Sequence, residues 1–326
     1  MPRPDRLAWL TSALKLAITL GLLAYLLSKV QIAPVVRQLR TMTPAAAVAA
    51  EALLLLQLAL LAWRWQLVNR IVEAPMRAGQ VLRLTAIGHF FNQILPSGFA
   101  GDAARAWLAA REGVEPGPLV RAIVCDRVVG LLVLAVMVSL TFFTLPDALA
   151  REVPARNAFA AVALLGVAAT AALFLLGAPL AELLLRHRLT TPLGKLAADL
   201  HRVLFRARGR GMLVVVLAAA VQILNVAAMQ VCASGMGIAL DPGAAFVIVP
   251  AVMLVSLAPV TFAGWGLREG AMIVGLGLAG VSASDALAVS VAFGLLLVVL
   301  GVPGGVLWLR RAVASPPSVG VGGPSG

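Results

Sequence analysis

Arg105 and Arg268 each stand four residues beyond a glycine, in a break of otherwise apolar sequence, a pattern suited to holding an anion. The segments Pro96 to Arg105 and Pro259 to Arg268 both read P-x-x-F-A-G-x-x-x-R and lie 163 positions apart. A guanidinium forks onto phosphate or carboxylate, and the N–H groups that open a helix favour the same charge. Gly98, Gly101, Gly264 and Gly266 allow close backbone approach, while Pro96 and Pro259 end the incoming helix. Asp102 and Glu269 lie beside the arginines and could instead neutralise them. Two readings stand open. Either both arginines reach a common polar cavity and bind a headgroup phosphate, or each forms a buried ion pair that only locks its half of the chain.

The background makes such charges expensive. Hydrophobic residues are 61% of the 326, charged residues 12%, and mean hydropathy is +0.98, the profile of a polytopic membrane protein. Intramembrane charge and broken helices mark functional paths in such proteins. Cys125 and Cys232 sit in apolar segments and imply no disulfide framework. His89, His187 and His201 lack metal-ligand spacing, and neither metal nor cofactor is expected. A net charge of +12 fits Lys and Arg flanking membrane spans better than it fits nucleic acid.

The elements that must position these residues follow from the apolar runs. Full spans are expected at about Leu7 to Leu27, Ala45 to Leu67, Ala122 to Thr144, Asn157 to Ala178, Met212 to Ser234 and Asp285 to Leu309. Two apolar pairs are too short or broken to span: Leu82 to Leu95 with Asp102 to Ala110, and Ala244 to Ala258 with Leu267 to Gly280. Each reads as a re-entrant helical hairpin tipped by the repeated motif. The expected fold is therefore an all-α polytopic membrane protein with six full spans and two re-entrant hairpins. A shift of 163 lays repeat one (about 7–144) on repeat two (about 157–309). Three crossings per unit invert the second copy, as in secondary transporters. Residues 1–311 form one transmembrane domain, followed by a Pro/Gly/Ser tail over 312–326.

The basic residues agree with that topology. Segments assigned inside carry 18 Lys and Arg, and the outside loops 5, so both termini are expected in the cytoplasm of a bacterial-type inner membrane. Lys29, Arg37 and Arg40, in an outside loop, are the discordance. The stretch Arg186 to Arg210 mixes leucines with seven basic residues and suits either an amphipathic interfacial helix or a solvated loop. Glu51, Gln57, Gln222, Asn225 and Asn92 are candidates to line the cavity or to form interhelical hydrogen bonds. Asp126 and Arg127 are adjacent on a helix and should seek different partners. Gly301 and Gly305 form a GxxxG that favours close packing within the chain.

Asn92, Pro96, Gly101, Asp102, Arg105, Asp126-Arg127, and Pro259 with Gly264-Trp265-Gly266-Leu267-Arg268-Glu269-Gly270 resemble the transmembrane, flippase-like domain of lysylphosphatidylglycerol synthases. The resemblance runs from about Leu7 to Arg311. It implies a lipid translocase, with membrane lipids bearing a phosphate-containing headgroup as partners. Asp102 stands where the family commonly has Glu. No soluble aminoacyl-transferase domain is expected, because a short tail is all that follows Arg311. An accessory subunit or embedded enzyme of lipid or lipid-linked glycan synthesis, with a biosynthetic enzyme as partner, is the alternative. The lack of a nucleophile–base set, an acid cluster for a metal pair or a nucleotide loop favours a non-enzyme.

Overall fold

The computed structural model describes residues 32–95, 99–141, 153–186, 188, 190–257, 261 and 264–314, with scattered positions between 14 and 21. The helix expected at Leu7 to Leu27, the motif residues Pro96, Gly98 and Pro259, His187 and the tail after 314 lie outside the described residues, scattered positions of the first helix aside. The described chain is helical: α1 (Ile32–Thr41), α2 (Pro44–Ile71), α3 (Ala78–Ile94), α4 (Ala100–Arg111), α5 (Pro116–Thr141), α6 (Val153–Leu185), α7 (Thr191–His201), α8 (Arg208–Gly235), α9 (Pro242–Ser256), α10 (Leu267–Leu278) and α11 (Ala283–Ala314). One π-helical turn, Arg202–Arg206, joins α7 to α8.

Local signals set the helix starts. Thr43 accepts a hydrogen bond from Ala46 N at 3.3 Å with Pro44 in the first turn, and Asp241 accepts from Ala244 N at 2.7 Å ahead of Pro242. Each pairing satisfies an otherwise orphaned amide and presets φ for the helix. Helices α2, α5, α8 and α11 are long and apolar enough to cross a membrane, and the bent α6 is a fifth if taken as one span. Large apolar side chains on their outer faces are exposed, including Val48, Leu140 and Leu164, as lipid-facing residues would be. The loop expected over 29–44 contains a helix, α1. Its Val35 is buried and Leu39 packs on the main core cluster, while Arg37 and Arg40 are exposed, so this pair of discordant charges lies on the outer face of an end-cap helix.

The helix bounds repeat with the 163-residue offset. Pro44 maps one position before Arg208, Ala78 one before Pro242, and Ile94 one after Ser256. The equivalent helices α2 and α8 pack against each other and run antiparallel. Thr43 N donates to Gly235 O at 3.0 Å at one end, and at the other Arg202 donates to Ile71 O at 3.3 Å and pairs with Glu73 at 2.9 Å. Each half also lends its last long helix to the other half's hairpin, with α11 on α3 and α5 on α9. Hairpin one (α3, α4) closes at the basic end, where Gln80 and Arg83 of α3 bond Glu112 at 2.7 and 2.6 Å. At the opposite end, Leu240 and Ala244 share a core cluster with Leu276 and Val281 and close hairpin two (α9, α10). The arms are short, since 17 residues of α3 rise about 26 Å and 15 of α9 about 22 Å, less than the roughly 30 Å of hydrocarbon.

Small residues make the swapped packing possible. A Cβ on Gly304 would overlap the Ala86 carbonyl of α3, and one on Gly305 would meet the Phe90 ring at 2.7 Å. Gly301 faces the same helix, so the GxxxG is used within the chain. Gly304→Leu should therefore lower stability by about 1–3 kcal/mol or more through overpacking. Gly277→Ala, where a Cβ meets nothing within 4 Å, should leave stability unchanged or raise it slightly. Thermal unfolding of the detergent-solubilised protein, with equal melting of both variants as the contrary result, checks this.

Candidate functional site

The first hairpin turns on one close crossing. A Cβ on Gly101 would overlap the Gly88 carbonyl, so only glycine lets α4 lie this near α3. Asn92 Oδ1 accepts from Gly101 N at 2.8 Å and holds the start of α4. That contact sets Asp102 in the first turn and Arg105 one turn later on the inward face, both buried. The Gly101 amide is already bonded. It is not available to an anion, contrary to the expectation from the helix start.

Asp102 anchors a chain of buried charges. Its Oδ1 accepts from Arg105 Nε at 2.9 Å and from a terminal nitrogen of Arg105, and its Oδ2 accepts from Arg127 Nε at 2.5 Å. Asp126 accepts a two-pronged bond from Arg64 of α2, at 2.8 and 3.1 Å, and lies 4.0 Å from Arg105. Arg64 is 4% exposed and Asp126 2%. Arg105 also stacks 4.4 Å over the Trp65 ring, and Arg127 stands 6.0 Å over Phe99. Asp126 and Arg127 thus take different partners on α2 and α4. Among the described residues three guanidiniums meet two carboxylates, an excess of one positive charge at a site where Arg64 and Arg105 are buried and Arg127 is partly exposed. Buried charge of one sign needs a counter-ion, and an anionic ligand supplies one.

The second motif is wired differently. Glu269 stands at the third position of α10, as Asp102 does on α4. Its Oε2 accepts from Gly266 N at 2.6 Å, satisfying one amide at the start of α10, and its Oε1 takes both Arg268 Nε (3.0 Å) and Nη2 (2.6 Å). Ser290 bonds both partners, and Arg268 lies against Gly294 and 4.9 Å from the Trp265 ring. Glu269 is fully buried. Gly264 and Gly266 both have positive φ, 78° and 85°, the conformation that favours glycine. Arg268 and Glu269 are not among the residues that line the two cavities beside the first cluster. Glu269 and Ser290 bond the Arg268 guanidinium locally.

Two adjoining cavities frame the first cluster. A small one, about 130 Å³, is walled by Asn92, Asp102, Arg105, Asp126, Arg127 and His89 among others. A larger one, about 410 Å³, shares Leu61, Arg64, Asn92 and Arg127 with it and reaches Phe99 at the first tip and Thr261 and Gly264 at the second. Leu61, Gly130 and Gln222 on its wall lie near the middle of α2, α5 and α8. Gln222 accepts from Asn225 at 3.3 Å, whereas Asn225, Glu51 and Gln57 line neither cavity. Sequence alone does not single out Arg64 or Thr261, because Arg64 lies in a basic flank of a span and Thr261 is an unrepeated position of the second motif. Among the described residues no group of three His, Cys, Asp or Glu is placed to hold a metal.

The buried pair across α2 and α5 gives a measurable consequence. Asp126→Ala leaves Arg64 without its partner in the interior and should destabilise the fold by about 3–5 kcal/mol, whereas the double variant Arg64→Met, Asp126→Leu should recover most of that loss. Chemical or thermal unfolding of the three proteins reads the difference, and an equal loss in the single and double variants contradicts it.

The whole arrangement sits in a multi-pass, all-helical membrane protein. Among curated proteins, no sequence matches this chain. Residues 12–305 match the family described as the lysylphosphatidylglycerol synthase TM region, a span that holds both motifs and every residue of the charge cluster. The chain belongs to that family.

Proposed function

We propose that the protein is a lipid translocase, with six full spans and two opposed re-entrant hairpins in an inverted repeat, that moves a polar or anionic lipid between leaflets without changing it chemically. The reading is carried by one observation, the cavity bordered by both hairpin tips at mid-depth of the long helices, with an excess of positive charge on its wall. The antiparallel α2 and α8, and hairpins that close at opposite ends, support the inverted arrangement. A lipid substrate accords with the family's name, and the charge excess accords with a headgroup phosphate. The end that gathers Arg83, Arg121 and Arg202 faces the cytoplasm in this reading, by the bias of positive charge.

Topology is tested by cysteine labelling from each side, with the buried native Cys125 and Cys232 as a quiet background. Glu115→Cys should label from the cytoplasmic face and Ala283→Cys from the outer face. Labelling of both from one face rejects the inverted arrangement. Transport is tested in proteoliposomes with headgroup-labelled lipid, recovered intact. Arg105→Lys keeps the charge but loses the fork, and should slow translocation by roughly tenfold or more in folded protein. Arg268→Lys should mainly lower the melting temperature and leave the rate of the folded fraction near normal. A folded wild-type protein that moves no lipid, or converts it, favours an accessory or enzymatic role instead.

A further inference from the structure

We infer that the headgroup taken by the larger cavity is a phosphate joined to an uncharged, hydroxyl-bearing group, and that headgroups ending in an ammonium are discriminated against. This rests on the translocase reading above. The cavity has two chemically different walls. From the first half come Arg64 and Arg127, beside the charge excess already described, together with the amides Asn92 and Gln93. From the second half come Gln222, Ser256 and Thr261, and no charged side chain.

These neutral groups are equipped to meet hydroxyls. Thr261 is 3% exposed, lines the cavity, and its Oγ1 has no hydrogen-bond partner among the described residues. A buried hydroxyl without a partner is costly, and a ligand hydroxyl in the cavity would satisfy it. Ser256 Oγ donates to Val252 O at 2.6 Å, so its lone pairs remain to accept. Gln222 Oε1 takes Asn225 Nδ2, which leaves the Gln222 amide N–H groups as donors.

An ammonium finds no comparable host. It needs several acceptors and a counter-charge to replace its strong hydration. The acids near the cavity, Asp102 and Asp126, are each held by guanidiniums, and the second-half acid, Glu269, is sealed by Arg268, Ser290 and the Gly266 amide. The charge excess further repels a cation. The charge asymmetry between the two halves therefore sorts headgroups by what lies beyond the phosphate.

The test uses the full chain, in detergent for equilibrium binding and in proteoliposomes for translocation, with three short-chain probes: phosphatidylglycerol, lysyl-phosphatidylglycerol and phosphatidylethanolamine. Phosphatidylglycerol should bind about tenfold or more tightly than either ammonium-bearing lipid, a difference of about 1.4 kcal/mol. Thr261→Val should weaken phosphatidylglycerol about threefold to tenfold without improving the lysyl lipid. Gln222→Glu, which places a carboxylate on the neutral wall, should shift the binding ratio toward the lysyl lipid. If the lysyl lipid binds wild type as tightly as phosphatidylglycerol while translocation persists, this inference is overturned and the translocase reading stands. A folded wild type that neither binds nor moves any of the three overturns both.

Discussion

A guanidinium in an apolar interior must be paired, and that requirement organises this protein. Arg64, Arg105 and Arg127 belong to three helices, α2, α4 and α5, and each is held by a carboxylate from a different element or turn. The bonds Arg64 to Asp126 and Arg127 to Asp102 fasten α5 to α2 and to the hairpin arm α4. None of the three helices can shift without breaking an ion pair to a buried carboxylate, so the start of α4 is tied electrostatically to α5. The leftover positive charge is then a structural fact about the site before it is a functional one.

The chain carries two copies of the motif, but the two halves use it differently. The positions 163 beyond Arg64, Asp126 and Arg127 are Ala227, Val289 and Ser290, so the second half lacks the groups that build the charge chain. Its arginine is neutralised locally by Glu269, which also caps α10. What survives in both copies is the backbone logic: a glycine at the break and an acid at the third position of the outgoing arm. Two halves of matched helix bounds thus enclose an electrically one-sided cavity, with both of its cations on one wall and only neutral groups on the other.

Close approach of backbones completes the frame. Gly88 against Gly101 folds the first hairpin, Gly304 against Ala86 seats α11 on that hairpin, and Gly235 against Ala46 joins α8 to α2. In lipid the hydrophobic effect gives little drive to bring helices together, so contact and dispersion must do more, and small residues allow it. These contacts lie within or between the two halves, which makes the interlocked pair the stable unit.

Much of this was written in the chain itself. The apolar runs and the offset of 163 located the long helices α2, α5, α8 and α11, the short arms α3, α4, α9 and α10 and the correspondence of their bounds, because helix length and backbone hydrogen bonding in an apolar medium leave few alternatives. Asp102, Arg105, Asp126 and Arg127 were identifiable for the same reason, since charge there is costly enough to demand a purpose. Which charges meet was not legible. Arg64 pairs with a residue 62 positions away, Arg268 pairs with its neighbour Glu269, and Thr261 lines one cavity with Arg64 and Arg127 of the other half. Pairing depends on helix rotation and on distances between segments remote in sequence, and those are decided only when the helices pack.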